Sequence, residues 1–424
     1  MRPARPTGAH QSADLAELVC SNSLGSKLAD RASGVLMAEL RTLGSLLLAV
    51  AEEQAVPAGG ALAVDRVGFS RAVTERVQSH PKIELIREEV TELPPGWVVI
   101  ASGPLTSPAF SGTLATLAGE EHLYFYDALS PIVEADSIDF SIAYRGSRYG
   151  RGELEAGDYV NCPFTQDEYE AFVDALLAAE RIPLREFERE IEQGVRAGMD
   201  KYFEGCLPVE VIAERGRKAL AFGPMRPVGL QDPRSGGRAH AVVQLRQDDL
   251  AGELYNLVGF QTNLRFPEQR RVLRLIPGLG DARFARYGQM HRNTFLNAPS
   301  ILTPELRFRS ADRAYLAGQL TGVEGYLGNI ATGLLAGINL AAAARGEASL
   351  VLPRETMLGA LIHYVTHADP GQFQPMKANF GLLPDLGAER PGGRRARAAA
   401  YAERAGLALA GHLAAQPAAM RIAT

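Results

Sequence analysis

The sequence is poor in cysteine: it has three, Cys20, Cys162 and Cys206, far apart and with no C-x-x-C pair. That excludes a disulfide framework and a four-thiolate zinc site, and no metal is expected. No apolar run approaches the roughly 18–20 residues that a membrane span needs. The richest stretch, Leu46 to Val50, is closed by Glu52 and Glu53. The opening MRPARPTGAHQ carries arginine without an apolar segment, so it does not read as a secretory leader. No repeat of solenoid length is present. An excess of one charge is lacking too, with a net charge of −5. Any nucleic-acid contact must therefore come from a local patch. A soluble protein of the reducing cytoplasm is expected.

What is present resembles the composition of an ordinary enzyme, 46% hydrophobic and 22% charged. At roughly 100–200 residues per domain, the chain holds two or three. Helical spacing of Val35, Leu36, Leu40, Leu43, Leu46, Leu47 and Val50 predicts one helix over 35–50. Pro57 and Gly59-Gly60 then break the chain. Phe69 to Val77 predicts a second helix, and Ile83 to Ile86 and Trp97 to Ile100 read as short strands. Strands alternating with helices predict an α/β layer with a parallel sheet. From Leu105 to Gly288 the pattern is more broken. Ala241 to Leu245 and Leu254 to Phe260 read as strands and Gln166 to Glu180 as a helix, a second domain of α+β type. Ala314 to Gly318 then reads as a buried strand, followed by a Gly-rich turn and a small-residue helix over Gly333 to Ala344. The first domain has resumed, so the middle is an insertion. The expected divisions are 1–105, 106–285 and 286–350, with a basic helical segment over 351–424 that is looped at Pro384 to Gly393.

Four segments carry chemistry. Cys20 lies among Ser21, Asn22 and Ser23, small hydrogen-bonding groups ahead of helix-forming sequence, where a thiol is readily activated. The plainer alternative is a core cysteine. Cys206, between Gly205 and Leu207-Pro208 with Glu204 two residues away, suggests a bend that presents its sulfur; Cys162 has no such company and reads as structural. The turn Ala317 to Tyr326 follows a strand and precedes a helix, where glycines admit a ligand close to backbone N–H groups. The triplet His291-Arg292-Asn293 groups polar side chains suited to a planar ligand, although a single His is more often structural. Seven arginines between Arg265 and Arg292 face two acids, Glu268 and Asp281, and a second basic stretch holds Arg390, Arg394, Arg395, Arg397 and Arg404. Such runs are usually solvated faces, yet two on an acidic chain point toward phosphates.

Taken together, these segments closely resemble the folate- and FAD-dependent tRNA uracil-5-methyltransferase family, TrmFO. The matching strings include LVCSNSL at 18–24, VPAGGALAVDR at 56–66, FEGC at 203–206, FGPMRPVGL at 222–230, YGQMHRNTFLNAPS at 287–300, AGQLTGVEGY at 317–326 and FQPMKANFGLLP at 373–384. They run in order over nearly the whole chain. The resemblance implies a glutathione-reductase-like FAD-binding domain with an inserted α+β domain on the folate and tRNA side. It implies methylation of carbon 5 of the T-loop uridine, position 54, with methylenetetrahydrofolate as carbon donor and FAD reduced by NADH or NADPH. The family cysteines fall on Cys206 and Cys20, expected as nucleophile and partner in proton transfer, with the roles interchangeable on sequence alone.

By the same resemblance the FAD contacts fall on Asn22, Ser23, Gly103, Pro104, Gly318, Gln319, Gly322, Val323, Glu324, Gly325 and Tyr326. Folate falls to His291, Arg292 and Asn293, and tRNA to Arg271, Arg274, Arg394, Arg395 and Arg397. Family members carry a first strand and a G-x-G-x-x-G turn ahead of a Met-Arg-Pro segment, whereas here Met1-Arg2-Pro3 opens the sequence. Weakened FAD binding is expected on that account, and 192–201 reads as an insertion. The rivals are a tRNA-binding protein inactivated by loss of that turn, and another flavin- and folate-dependent tRNA uridine modifier.

Overall fold

The computed structural model describes residues 10–119, 123–182, 207–233, 236–387 and 391–416, with backbone alone over 123–128 and 290–294. The chain opens with β1 (Ser23–Ser26), α1 (Ala32–Thr42) and α2 (Leu46–Glu53). The single helix expected over 35–50 is thus two. Gly44 takes a left-handed φ of 68°. Ser45 then caps α2, its side chain accepting from the backbone N–H of Leu48. β2 (Ala55–Val56) and β3 (Ala61–Val64) follow, and β3 lies between β1 and β2 in an antiparallel sheet. α3 (Arg66–Gln78) starts on Asp65, whose carboxylate accepts from Gly68 N–H. No strand forms over Ile83 to Ile86; Ile83 and Ile86 are exposed, so that short apolar pattern has no face to bury. β4 (Val98–Ile100) and α4 (Pro108–Ala118) complete this part.

The middle of the chain builds a six-stranded antiparallel sheet. β5 (Leu123–Ala128) leads into β6 (Ile132–Glu134), β7 (Tyr144–Gly146) and β8 (Tyr159–Phe164). α5 (Gln166–Leu177) begins with a capping box between Thr165 and Glu168. α6 (Val209–Glu214), α7 (Ala219–Phe222), β9 (Ala241–Gln247), β10 (Leu254–Leu257), α8 (Phe266–Leu273) and β11 (Phe284–Arg286) follow. The strand order is β11-β6-β10-β9-β8-β7. Ala241, Val243 and Leu245 of β9 join Phe172, Leu176, Val209 and Val272 in one core. Every residue of β9 is buried. Its alternate residues Gln244 and Arg246 face away from that core, so the strand is apolar on one side and polar on the other.

β12 (Met290–Phe295) pairs antiparallel with β5 and brings the chain back. α9 (Ala298–Ile301), β13 (Ala314–Leu316), α10 (Tyr326–Ala344), α11 (Met357–His367) and α12 (Arg394–Ala415) then pack with the first elements. β13 lies parallel to β4, with Leu316 opposite Ile100. One core joins Leu36 and Leu40 of α1 to Leu316, Ile330, Leu361 and Leu409. Phe110 and Leu114 of α4 belong to it as well, as do Leu352, Met357, Val365, Phe373 and Leu383 beyond 351. The architecture is therefore α/β with an inserted α+β body. By length and composition α10 is the one helix among the described residues apolar enough to cross a membrane, but half of that window is buried, and Leu327, Ile330 and Leu335 sit in the core.

Candidate functional site

The carboxyl ends of β4 and β13 emerge side by side, joined by the N–H of Ala317 donating to Ile100 O at 2.9 Å. Crevices at such ends are where open α/β sheets take ligands. Gly103 follows β4 with φ 77° and Gly318 follows β13 with φ 73°. Gly325, φ 85°, opens the 19-residue α10 with no side-chain cap. A Cβ built on Gly103, Gly318 or Gly325 meets nothing within 4 Å, so this turn leaves an open cradle at the start of a long helix. Helix starts favour anions. Asn329, in the first turn, holds a buried amide oxygen with no hydrogen-bond partner among the described residues, an acceptor ready for a ligand N–H or O–H. The cradle fits the phosphates and polar edge of a dinucleotide such as FAD.

Other residues of the turn are engaged within the protein. Gln319 Nε2 donates to Glu324 Oε2 at 3.2 Å, and both side chains are buried. Val323 is core, and its backbone bridges to Met376. Gly322 has a packing reason for lacking a side chain: a Cβ there stands 2.4 Å from the Phe373 ring. Tyr326 donates its hydroxyl to Ala16 O and meets Phe69 edge-on at 6.0 Å, which ties the helix start to the segment leading into Cys20.

Cys20 lies where the two bodies meet. Arg246, on the polar face of β9, donates to Asn22 Oδ1 and Ser21 Oγ, both at 2.8 Å. Asn22 spends both amide hydrogens on Val64 O (2.9 Å) and Gln247 O (3.0 Å), so its side chain orients Arg246 and the loop. Arg66, the first residue of α3, grips Asp248 with two bonds of 3.1 Å and also donates to Leu18 O. Burial pushes the guanidinium pKa values of Arg246 and Arg286 down, and both groups interact electrostatically with Cys20 and with Arg66. The three guanidinia are balanced in part by the carboxylates of Asp248 and, at Arg286, Glu17. Arg66, Arg246 and Asp248 were not expected from sequence, and Arg286 was expected only as part of the basic stretch between Arg265 and Arg292. The alternation of β9, which buries Gln244 and Arg246 where an edge-facing strand would expose them, was the available signal.

Ser23 begins β1 with its hydroxyl accepting from Gly25 N–H at 3.2 Å. Gly103 and Pro104 lie in the turn after β4, closed by Thr106 Oγ1 donating to Gly103 O at 2.7 Å. His291, Arg292 and Asn293 stand in β12 opposite Asp127, Tyr126 and Phe125. Cys162 is fully buried in β8. Cys206 and the segment 192–201 lie outside the described residues. Arg271 pairs with Glu268 at 2.6 Å, and Arg274 donates to Ala282 O at 2.9 Å. Arg394, Arg395 and Arg397 open α12.

A sequence profile of the GIDA family, described as glucose inhibited division protein A, matches residues 7–348. GidA of Aquifex aeolicus has the same fold: its form I crystal structure superposes with a TM-score of 0.63 at 16% identity, over 96% of this chain and 71% of that one. Its form II structure gives 0.58 over 82% of this chain, which spans 61% of that one. These likenesses define the class, a GidA-type α/β protein with an inserted domain. Within that class the chain belongs to the family of methylenetetrahydrofolate–tRNA-(uracil-5-)-methyltransferases, TrmFO. It is 53% identical over 405 residues to the TrmFO of Bacillus pumilus, covering 96% of this chain and 90% of that protein. It is 55% identical over 386 residues to that of an Exiguobacterium species, and 54% over 409 to that of a Synechococcus species.

Proposed function

We propose that this chain methylates carbon 5 of a tRNA uridine, the T-loop uridine at position 54, with methylenetetrahydrofolate as carbon donor. The observation that carries the reading is the identity of more than half the aligned residues to TrmFO proteins over 96% of the chain. It favours the enzyme over both rivals. Carbon 5 of uracil is a poor nucleophile. Addition of the Cys206 thiolate to carbon 6 forms a sulfur–carbon bond and drives electrons onto carbon 5. Carbon 5 then attacks the methylene carbon as one folate carbon–nitrogen bond opens, and loss of the carbon 5 proton toward Cys20 breaks the other and expels tetrahydrofolate. Once that carbon is reduced to methyl, the sulfur–carbon bond breaks and the ring is restored. Arg246, Asn22 and Arg66 hold the Cys20 loop for that transfer. His291, Arg292 and Asn293 hold the folate, and the basic stretches with Arg271, Arg274, Arg394, Arg395 and Arg397 meet tRNA phosphates.

Gly318, Gly325 and Asn329 are the residues suited to FAD, with Gly103 and Pro104 beside them. When bound, FAD supplies electrons, drawn from NADH or NADPH, that take the methylene to methyl. The compartment is the cytoplasm, where tRNA and folate are found. The test is a tRNA carrying 5-fluorouridine at the target position, since fluorine replaces the proton that must leave. A covalent protein–RNA adduct is expected, lost in Cys206→Ala while tRNA binding persists. An adduct that survives Cys206→Ala and disappears in Cys20→Ala reverses the two roles. Survival in the double variant removes cysteine from the mechanism.

A further inference from the structure

A cavity of about 1150 Å³ opens between the loop after β1, the start of α12, the 3-10 turn Phe380–Leu382 and one loop of the inserted body. Its wall carries five guanidinia, Arg31, Arg151, Arg394, Arg395 and Arg397, against one carboxylate, Asp30. Asp30 is shared: Arg31 lies 3.0 Å away and Arg395 3.4 Å away. Among the described residues no carboxylate pairs with Arg394, Arg397 or Arg151. On a chain of net charge −5 this is a concentrated positive patch. Its floor is aromatic. Phe380 and Tyr401 stack with centroids 5.6 Å apart and planes at 18°, and both line the cavity.

Arg151 is the informative member, because it comes from the inserted body and from neither basic stretch of the sequence. Its loop is fixed. Asp158, 1% exposed, accepts from Gly59 N–H at 2.5 Å and from Glu153 N–H at 2.9 Å. Tyr159 donates to Ala58 O at 3.0 Å, and Glu153 pairs with Lys27. Gly157, φ 97°, allows the fold, since a Cβ there stands 2.3 Å from the Gly146 backbone. The positive wall is thus preorganised by contacts between both bodies.

We infer that this cleft holds a strand of the tRNA substrate, with phosphates on the arginines and a base against the Phe380–Tyr401 surface. The inference rests on the tRNA reading above and deepens it. Guanidinia on several elements suit successive phosphates, and a flat aromatic face takes any base. The volume exceeds the roughly 300–1,000 Å³ of small-ligand clefts, which fits a polymer better than a free nucleotide. Leu28 at the cavity lies eight residues from Cys20, so at most about 29 Å of extended chain separates them, within reach of one RNA arm.

The test is tRNA affinity of the full-length protein, measured across a salt series for the wild type, Arg151→Gln, Arg395→Gln, the double variant and Arg345→Gln. Arg345, paired with Glu347 at the far end of α10, is the control. Each single variant in the cleft is expected to lower the slope of log K against log salt by about 1, and the double by about 2, with Arg345→Gln unchanged. Wild-type slopes in Arg151→Gln and Arg395→Gln, with tRNA still bound, overturn the cleft but leave the methyltransferase reading intact. Failure of the wild type to bind tRNA overturns both. ADP and NADH are titrated in parallel; binding of either that depends on Arg151 and Arg395, while tRNA binding does not, makes the cleft a nucleotide site and also overturns the proposal.

Discussion

Glu39 is 2% exposed inside the first core, where its carboxylate accepts from the backbone N–H of Met357 (2.6 Å) and Leu358 (2.8 Å). It closes the start of α11 from 318 residues away in sequence. Burial raises its pKa from the ordinary 4.5 to about 7, opposed by those two hydrogen bonds. Between these values the folded protein keeps a proton that the unfolded chain releases. The stabilisation is therefore complete below pH 4.5, falls as pH rises and levels off above about 7. At about 1.4 kcal/mol per pK unit the loss is on the order of 3 kcal/mol. Glu39→Gln stays neutral, so its urea midpoint should change less between pH 5 and pH 8 than that of the wild type. Equal pH dependence in the two proteins would sink the idea. Nothing in the sequence around Glu39 marks it, since its partners are backbone groups brought near only by the fold.

At the scale of elements, the turn from β13 to α10 divides its glycines by task. Gly322 faces Phe373 and Gly325 faces open space. Gly322→Ala should cost about 1–3 kcal/mol of stability through overpacking, on top of the strain of its own left-handed backbone (φ 78°), and trimming the ring with Phe373→Leu should return only the packing part. Gly325→Ala carries only the strain of a left-handed backbone, roughly 1 kcal/mol, but puts a methyl group into the cradle. Its expected signature is lower flavin content at purification with the unfolding midpoint nearly kept. Full flavin content in Gly325→Ala would move the FAD phosphates elsewhere. The sequence made the turn itself legible, because strand, glycines and helix occur together in a short span. It did not separate the two roles, which depend on a ring about fifty residues downstream. Gly44 within an otherwise helical pattern was legible as a break only once Ser45 was seen to cap a second helix. The short pattern at Ile83 to Ile86 misled because no neighbouring strand offered it a partner.

For the molecule as a whole, the α/β layer and its insertion could be read from where periodicity breaks and resumes, but the seam between the two bodies could not. That seam is polar and long-range: Arg246 reaches Asn22 across 224 positions, and Arg66 reaches Asp248 across 182. Asp248 is 3% exposed and Arg66 8%. A buried pair of this kind is costly to break because the surviving charge stays desolvated. Arg66→Gln should therefore cost about 3–5 kcal/mol in urea unfolding. Replacing both partners, Arg66→Met with Asp248→Leu, removes the uncompensated charge and should recover most of that stability. Turnover should not recover with it, because Arg66 also donates to Leu18 O and so tethers the loop that carries Cys20. Stability regained while methylation stays low would mark Arg66 as a positioning residue. A single Arg66→Gln variant that loses less than about 1 kcal/mol would show that this ion pair does not join the two bodies.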